Sequence, residues 1–158
     1  MSIPSSPQAV IVQADAGKAL DFGPEGIFSV MLTGEQTSGA LTVVRAPVVR
    51  GALNPPLHFH STEDELFLVI DGHVSFFTDG RWTDVGPGGV VFFPRGTPHS
   101  YRNLTDTTCH LWVLTTPSSA FDVFLERLAE QTRRPGGPDM DEILAMHRDH
   151  SITLLGPV

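Results

Sequence analysis

The chain has 158 residues and 17.1 kDa, the size of one domain, with apolar residues at 41% and charged residues at 18%. A formal charge of -8, a pI near 5.2 and no Lys/Arg cluster argue against a nucleic-acid partner and against an anionic membrane surface. The first ten residues lack the basic and apolar regions of a signal peptide, and no apolar run is long enough to span a bilayer. Cys109 stands alone, which excludes an intrachain disulfide and a cysteine-based zinc site, so a cytoplasmic location is the expectation.

In chain order, residues 9–13 and 27–33 are β-rich, with Gly23-Pro24-Glu25-Gly26 between them. Residues 40–50 alternate apolar and polar, and Pro47 places an edge or a bulge there. Strands follow over 66–70 and 73–78, separated by Asp71-Gly72. Asp79-Gly80 then makes a two-residue hairpin turn, with 81–84 as its return strand. Strands over 90–93, 99–103 and 108–115 complete an all-β pattern with turns every 8–12 residues or so.

The character then changes. Ser118 or Ser119 caps a helix with apolar Phe121, Phe124, Leu125 and Leu128 on one face, and Arg133 and Arg134 fall in its last turn. Pro135-Gly136-Gly137-Pro138 breaks it, and Asp139 caps a second helix to about residue 147. These helices either pack on the outside of the β-structure or lid its mouth. The expected organisation is one structural domain: N-terminal strands over 1–36, a β core over 37–117 and a helical segment over 118–158.

The chemistry concentrates on four residues. His58 and His60, one residue apart on a strand, point to the same face. Glu65 opens the following strand after a turn over 61–64, and His99 begins another strand after Pro94-Arg95-Gly96-Thr97-Pro98. Three imidazoles and a carboxylate form an N/O donor set suited to one divalent transition metal: Fe, Ni, Mn, Co, Cu or Zn. His73 reads as exposed, His110 as a hydrogen-bonded core histidine, and His147 and His150 as solvated.

Together these residues resemble the cupin superfamily. Its first motif is matched by His58-Phe59-His60, Glu65 and Gly72, and its second by Gly88, Pro94-Arg95-Gly96, His99 and Asn103. The departure is one extra residue between Gly51 and His58, assigned to Pro55-Pro56. The resemblance implies a cupin jelly-roll β-barrel, here with two short C-terminal helices, holding the metal on His58, His60, Glu65 and His99.

Strand alternation from Glu65 sends Phe67 and Val69 inward, and from His99 it sends Tyr101 and Asn103 inward. Phe76 or Phe77, and Phe92 or Phe93, add one aromatic each. We take Tyr101, Phe67, Phe76 and Phe93 as the substrate-contacting set, although such rings also fill small barrels. Within the cupins, the runs 55–60 and 96–101 and the tail are most similar to single-domain quercetin 2,3-dioxygenase-type proteins. That likeness implies cleavage of a flavonol-like or other small enolic or aromatic substrate with O2, with Glu65 as fourth ligand or as general base. It also implies a homodimer. Cupins that use the metal only as a Lewis acid (isomerases, decarboxylases, cyclases) and non-catalytic binding cupins are the alternatives.

Overall fold

In the computed structural model, which describes residues 8–51 and 55–158, three alternating strands form the centre of the core. They are β3 (Thr42–Val48), β5 (Asp64–Asp71) and β10 (Cys109–Thr116), and in each every second residue is buried. Their register stacks Ala46 beside Leu111, Leu111 beside Val69, and Val113 beside Phe67. Each such large apolar side chain contributes roughly 1.5–3 kcal/mol on burial.

Around this centre lie β1 (Lys18–Asp21), β2 (Ile27–Leu32) and β8 (Val90–Phe93), giving a six-stranded antiparallel sheet in the order β1-β2-β3-β10-β5-β8. Facing it are a three-stranded sheet, β7 (Arg81–Val85), β6 (Val74–Thr78) and β9 (Ser100–Arg102), and a two-stranded one, β11 (Ile152–Gly156) and β4 (Leu57–His60). Hydrogen bonding does not run continuously round a barrel. The all-β jelly-roll arrangement holds, as three ladders around one core. Val74 and Phe76 on β6 close that core from the facing side, and Phe121, Phe124 and Leu125 from α1 (Phe121–Thr132) close one flank.

Asp79 and Gly80 both have positive φ, 51° and 75°, and set Thr78 opposite Arg81, the turn geometry that matches strand twist. Asp139 caps α2 (Met140–Asp149) by accepting from the backbone N–H groups of Asp141 and Glu142.

Several expectations are corrected. Residues 9–13 form no strand: Val10 and Ile11 project into solvent, and the edge position goes to β1. Pro47 lies in a central strand, but the pairing of β3 with β2 stops at Arg45, two residues short of it. Neither Ser118 nor Ser119 caps α1. The N-cap is Ala120, and the buried Ser118 hydroxyl instead bonds Thr42 Oγ1 at 2.8 Å. Arg133 and Arg134 fall just past α1, which ends at Thr132. His110 lies on the outer sheet face, because odd-numbered β10 residues take the interior, and it pairs with Asp71 at 2.9 Å. His147 and His150 are half-buried against the Phe124 ring rather than solvated. Strand β11 was not foreseen at all. Residues 1–7, part of the signal-peptide reading and of the 1–36 segment, lie outside the described residues.

Candidate metal centre

Strand β4 is gripped on both edges. On one side it pairs with β11, Ile152 opposite His60 and Leu154 opposite His58. On the other, the backbones of His58 and His99 bond each other reciprocally, N–H to C=O, at 3.1 and 2.9 Å. The Gly96 N–H also donates to the His60 carbonyl at 2.7 Å, clipping the 94–97 turn to the same strand. That turn is further fixed by Arg95, whose backbone N–H and guanidinium donate to Asp64, immediately before Glu65.

This scaffold brings His58, His60, Glu65 and His99 together. One donor atom from each lies within 4.8 Å of every other. Two donors on one first-row ion are separated by at most about 4.4 Å, twice a typical bond length, so the cluster fits such an ion with small side-chain adjustments. His60, Glu65 and His99 are buried, and His58 is partly exposed.

The hydrogen bonds sharpen the fit. His99 Nδ1 lies 2.9 Å from the Thr97 carbonyl and His58 Nδ1 lies 2.8 Å from the Pro56 carbonyl. A carbonyl can only accept, so in both rings the Nδ1–H donates and Nε2 faces the centre with its lone pair. His99 Nε2 then confronts Glu65 Oε2 at 2.8 Å, and His60 Nε2 lies 3.4 Å from the same oxygen in no hydrogen bond. Lone-pair donors aimed at one another in a buried space require a cation between them, either a proton or a metal ion.

The electrostatics agree. Burial alone would raise Glu65, but the charge of His60, the His99 hydrogen bond and the charges of His99 and His58 outweigh it and hold the carboxyl at about 2. Burial, then the His99 charge, pushes His58 down to about 3. For His60, burial is outweighed by Glu65 and Glu63, which hold the ring above its ordinary value. The cluster is thus an anionic carboxylate among imidazoles, one of them kept neutral.

Below the four donors sits an aromatic cluster. Phe93 stacks on His99 at 4.2 Å between centroids, and Phe67 meets Phe76, Phe93 and Tyr101 at 5.2, 5.9 and 5.5 Å. Of the four aromatics singled out in the sequence, Phe67, Phe76 and Phe93 are almost wholly buried, and Tyr101 is partly exposed. Burial, then Glu65 and Glu25, pushes the Tyr101 phenol upward. Asn103 turns inward but serves its loop, donating to the carbonyls of Val48 and Thr107 at 2.7 Å. On the other flank, α1 reaches the centre through Phe121, whose ring lies 5.7 Å from His60.

Sequence reading assigned residues 61–64 only to a turn and so missed Glu63. It is 1% exposed, and its Oε1 lies 2.6 Å from His60 Nδ1. A carboxylate three residues after a candidate ligand histidine was the available signal.

Comparison with known proteins agrees with this geometry. Residues 47–115 match the family described as Cupin domain. A quercetin 2,3-dioxygenase of Bacillus subtilis (strain 168) is 31% identical over 101 residues, 64% of this chain. Those residues cover 29% of that enzyme, so the chain spans less than a third of its length. Among solved structures, a predicted oxalate decarboxylase from Thermotoga maritima superposes with a TM-score of 0.59 at 19% identity, covering 68% of this chain and 99% of that one. A sugar phosphate isomerase of the cupin superfamily from Silicibacter pomeroyi gives 0.58 at 19% identity, over 70% and 77%. An RmlC-like cupin from Shewanella frigidimarina gives 0.59 at 17% identity, over 70% and 93%. At such identities the structures speak to the fold alone. Residues 47–115 match the Cupin domain family in sequence, about two thirds of the chain shares the fold of solved cupin structures, and the cluster of three histidines and a glutamate is similar to the metal-binding motifs of that superfamily.

Proposed function

We propose that this protein is a metal-dependent dioxygenase that cleaves a small flavonol-like, enolic or aromatic substrate with O2. The observation that carries this reading is the convergence of His58, His60, Glu65 and His99 in a chain 31% identical, over 101 residues, to a quercetin 2,3-dioxygenase. A divalent transition metal bound there would supply Lewis acidity toward an enol oxygen.

The chain's own residues do the rest. His58, His60 and His99 present Nε2 as ligands. Glu65, buried and held as an anion between His60 and His99, suits a fourth ligand. To serve as the base that takes the enol proton it must turn away from both rings, toward the substrate oxygen. Phe67, Phe76 and Phe93 form the dry apolar floor, and Tyr101, the least buried of the set, is placed to orient a substrate. Approach from the His58 side is favoured, because His58 is the partly exposed ligand. Beside it, Pro55, Pro56, Leu154 and Pro157 line an apolar surface pocket whose Pro56 carbonyl holds the His58 ring.

The test is incubation of protein reconstituted with each of Fe, Ni, Mn, Co, Cu and Zn with quercetin, with and without oxygen. Loss of the flavonol absorption only in oxygen is expected, and its absence in His99→Ala. Anaerobic turnover would point to Lewis-acid chemistry without O2. No change with any metal would refute an enzymatic reading for this substrate class.

We also propose that the protein is a homodimer. Val90 and Phe92 are 59% and 54% exposed and stand in register with Leu68 and Leu66, which in turn face Trp112 and Leu114 on one apolar outer sheet surface. Light scattering at about twice the 17.1 kDa chain mass would support this, and a monomer would refute it.

A further inference from the structure

The three imidazoles of the centre are oriented in the same way but not by the same kind of group. His58 and His99 each donate Nδ1–H to a backbone carbonyl two residues earlier, Pro56 at 2.8 Å and Thr97 at 2.9 Å. His60 has no such carbonyl. Its Nδ1 meets Glu63 Oε1 at 2.6 Å, the shortest of the three contacts, and only a side-chain carboxylate does the work. A carboxylate accepts, so the ring carries its proton on Nδ1 and offers its lone pair at Nε2.

Glu63 is buried more deeply than its fold role requires. It follows the two exposed turn residues Ser61 and Thr62, where a solvated side chain would serve a turn equally well. Instead it is 1% exposed, and its second oxygen, Oε2, has no hydrogen-bond partner. A buried half-satisfied carboxylate works against folding, so its presence calls for a compensating role. His60 is thereby flanked by two carboxylates, Glu63 at Nδ1 and Glu65 at Nε2. Carboxylate bonds on the far nitrogen of a ligand imidazole raise its donor strength and fix its plane.

We propose that Glu63 is a positioning residue of the metal centre: it fixes the tautomer and orientation of His60 and strengthens it as a ligand above His58 and His99. Glu63 acts through His60 and touches neither metal nor substrate. The assignment rests on the reading of His60 as a ligand.

The test measures cobalt(II) affinity by chelator competition and records the cobalt(II) absorption spectrum for wild type, Glu63→Gln, Glu63→Leu and His60→Ala. Asp71→Asn, on the outer sheet face, is the control. Glu63→Leu is expected to weaken cobalt(II) binding about 10–100-fold and to shift the absorption bands. Glu63→Gln, whose amide oxygen can still accept the Nδ1–H, should fall between Glu63→Leu and wild type. The melting temperature of the metal-free Glu63→Leu protein does not discriminate by itself, because the substitution removes an unpaired buried oxygen and at the same time leaves the His60 Nδ1–H without its acceptor. A merely structural glutamate predicts unchanged affinity and spectrum, and that result overturns the proposal. If Glu63→Leu does not fold, unchanged affinity and spectrum in Glu63→Gln overturn it equally. Failure of wild type to bind cobalt(II), or full binding by His60→Ala, would instead refute the ligand reading on which the proposal rests.

Discussion

Gly72 and Gly96 both sit in turns that the sequence marks with glycine, yet replacing them by alanine should have different consequences. Both have positive φ, 69° and 84°, so a Cβ costs roughly 1–2 kcal/mol in either place. At Gly96 nothing lies within 4 Å of that Cβ, and the conformational cost is the whole cost. At Gly72 the Cβ would collide with Cys109 Sγ and stand 3.0 Å from the Cys109 Cβ and 3.3 Å from its Cα. Cys109 is fully buried at the start of β10, so its backbone cannot yield. Overpacking of this kind adds roughly 1–3 kcal/mol. Gly72→Ala should therefore lose about 2–5 kcal/mol and Gly96→Ala about 1–2 kcal/mol, read from urea unfolding midpoints of the metal-free proteins at constant slope. Cys109→Ala in the Gly72→Ala background removes the closest atom and should recover part of the difference, a coupling expected of residues in contact. Equal losses at the two glycines, or no recovery in the double variant, would refute the packing argument.

Three further outcomes follow from the same geometry. Phe67→Ala, which empties a site 1% exposed and ringed by Phe76, Phe93 and Tyr101, should cost about 3–5 kcal/mol in chemical unfolding. A loss under about 1 kcal/mol would mean that the cluster is not packed as described. Asp71→Asn breaks only a half-exposed pair with His110 and should change stability by less than about 1 kcal/mol.

The last concerns pH. His58 is held at about 3 against an ordinary 6.5, so between those values the unfolded chain binds more protons and stability rises with pH. Its contribution is complete above 6.5 and disappears as pH falls toward 3; Glu65, at about 2 against 4.5, adds a further loss below 4.5. His60, held above its ordinary value, works oppositely: its contribution is complete below 6.5 and fades as pH rises. Metal-free wild type should thus lose stability from pH 6.5 to 3, and His58→Gln should flatten that slope by up to about 1.4 kcal/mol per pH unit. Parallel profiles would contradict the assignment.

The sequence by itself determined the parts governed by local rules. Period-two burial in β3, β5 and β10 follows from alternating apolar residues, the Asp79-Gly80 turn from the two positive φ values it requires, and the Asp139 cap from a carboxylate beside free N–H groups. The period of two put His58 and His60 on one face, but that Glu65 and the distant His99 join them was implied by the likeness to the cupin motifs, not by any local rule. What depends on partners distant in sequence was decided only by the tertiary structure. Whether residues 9–13 or 152–156 become a strand depends on which edge is free to accept hydrogen bonds, and β4 took β11. Ser118 abandoned the helix start because the Thr42 hydroxyl, 76 positions away, offered a buried bond. His110 faced outward because register, not composition, chose the buried parity of β10. Glu63 lies three residues after His60, a spacing that permits the contact, yet spacing alone does not separate a turn glutamate in water from one folded under a histidine. Burial made that distinction, and burial is a property of the whole fold.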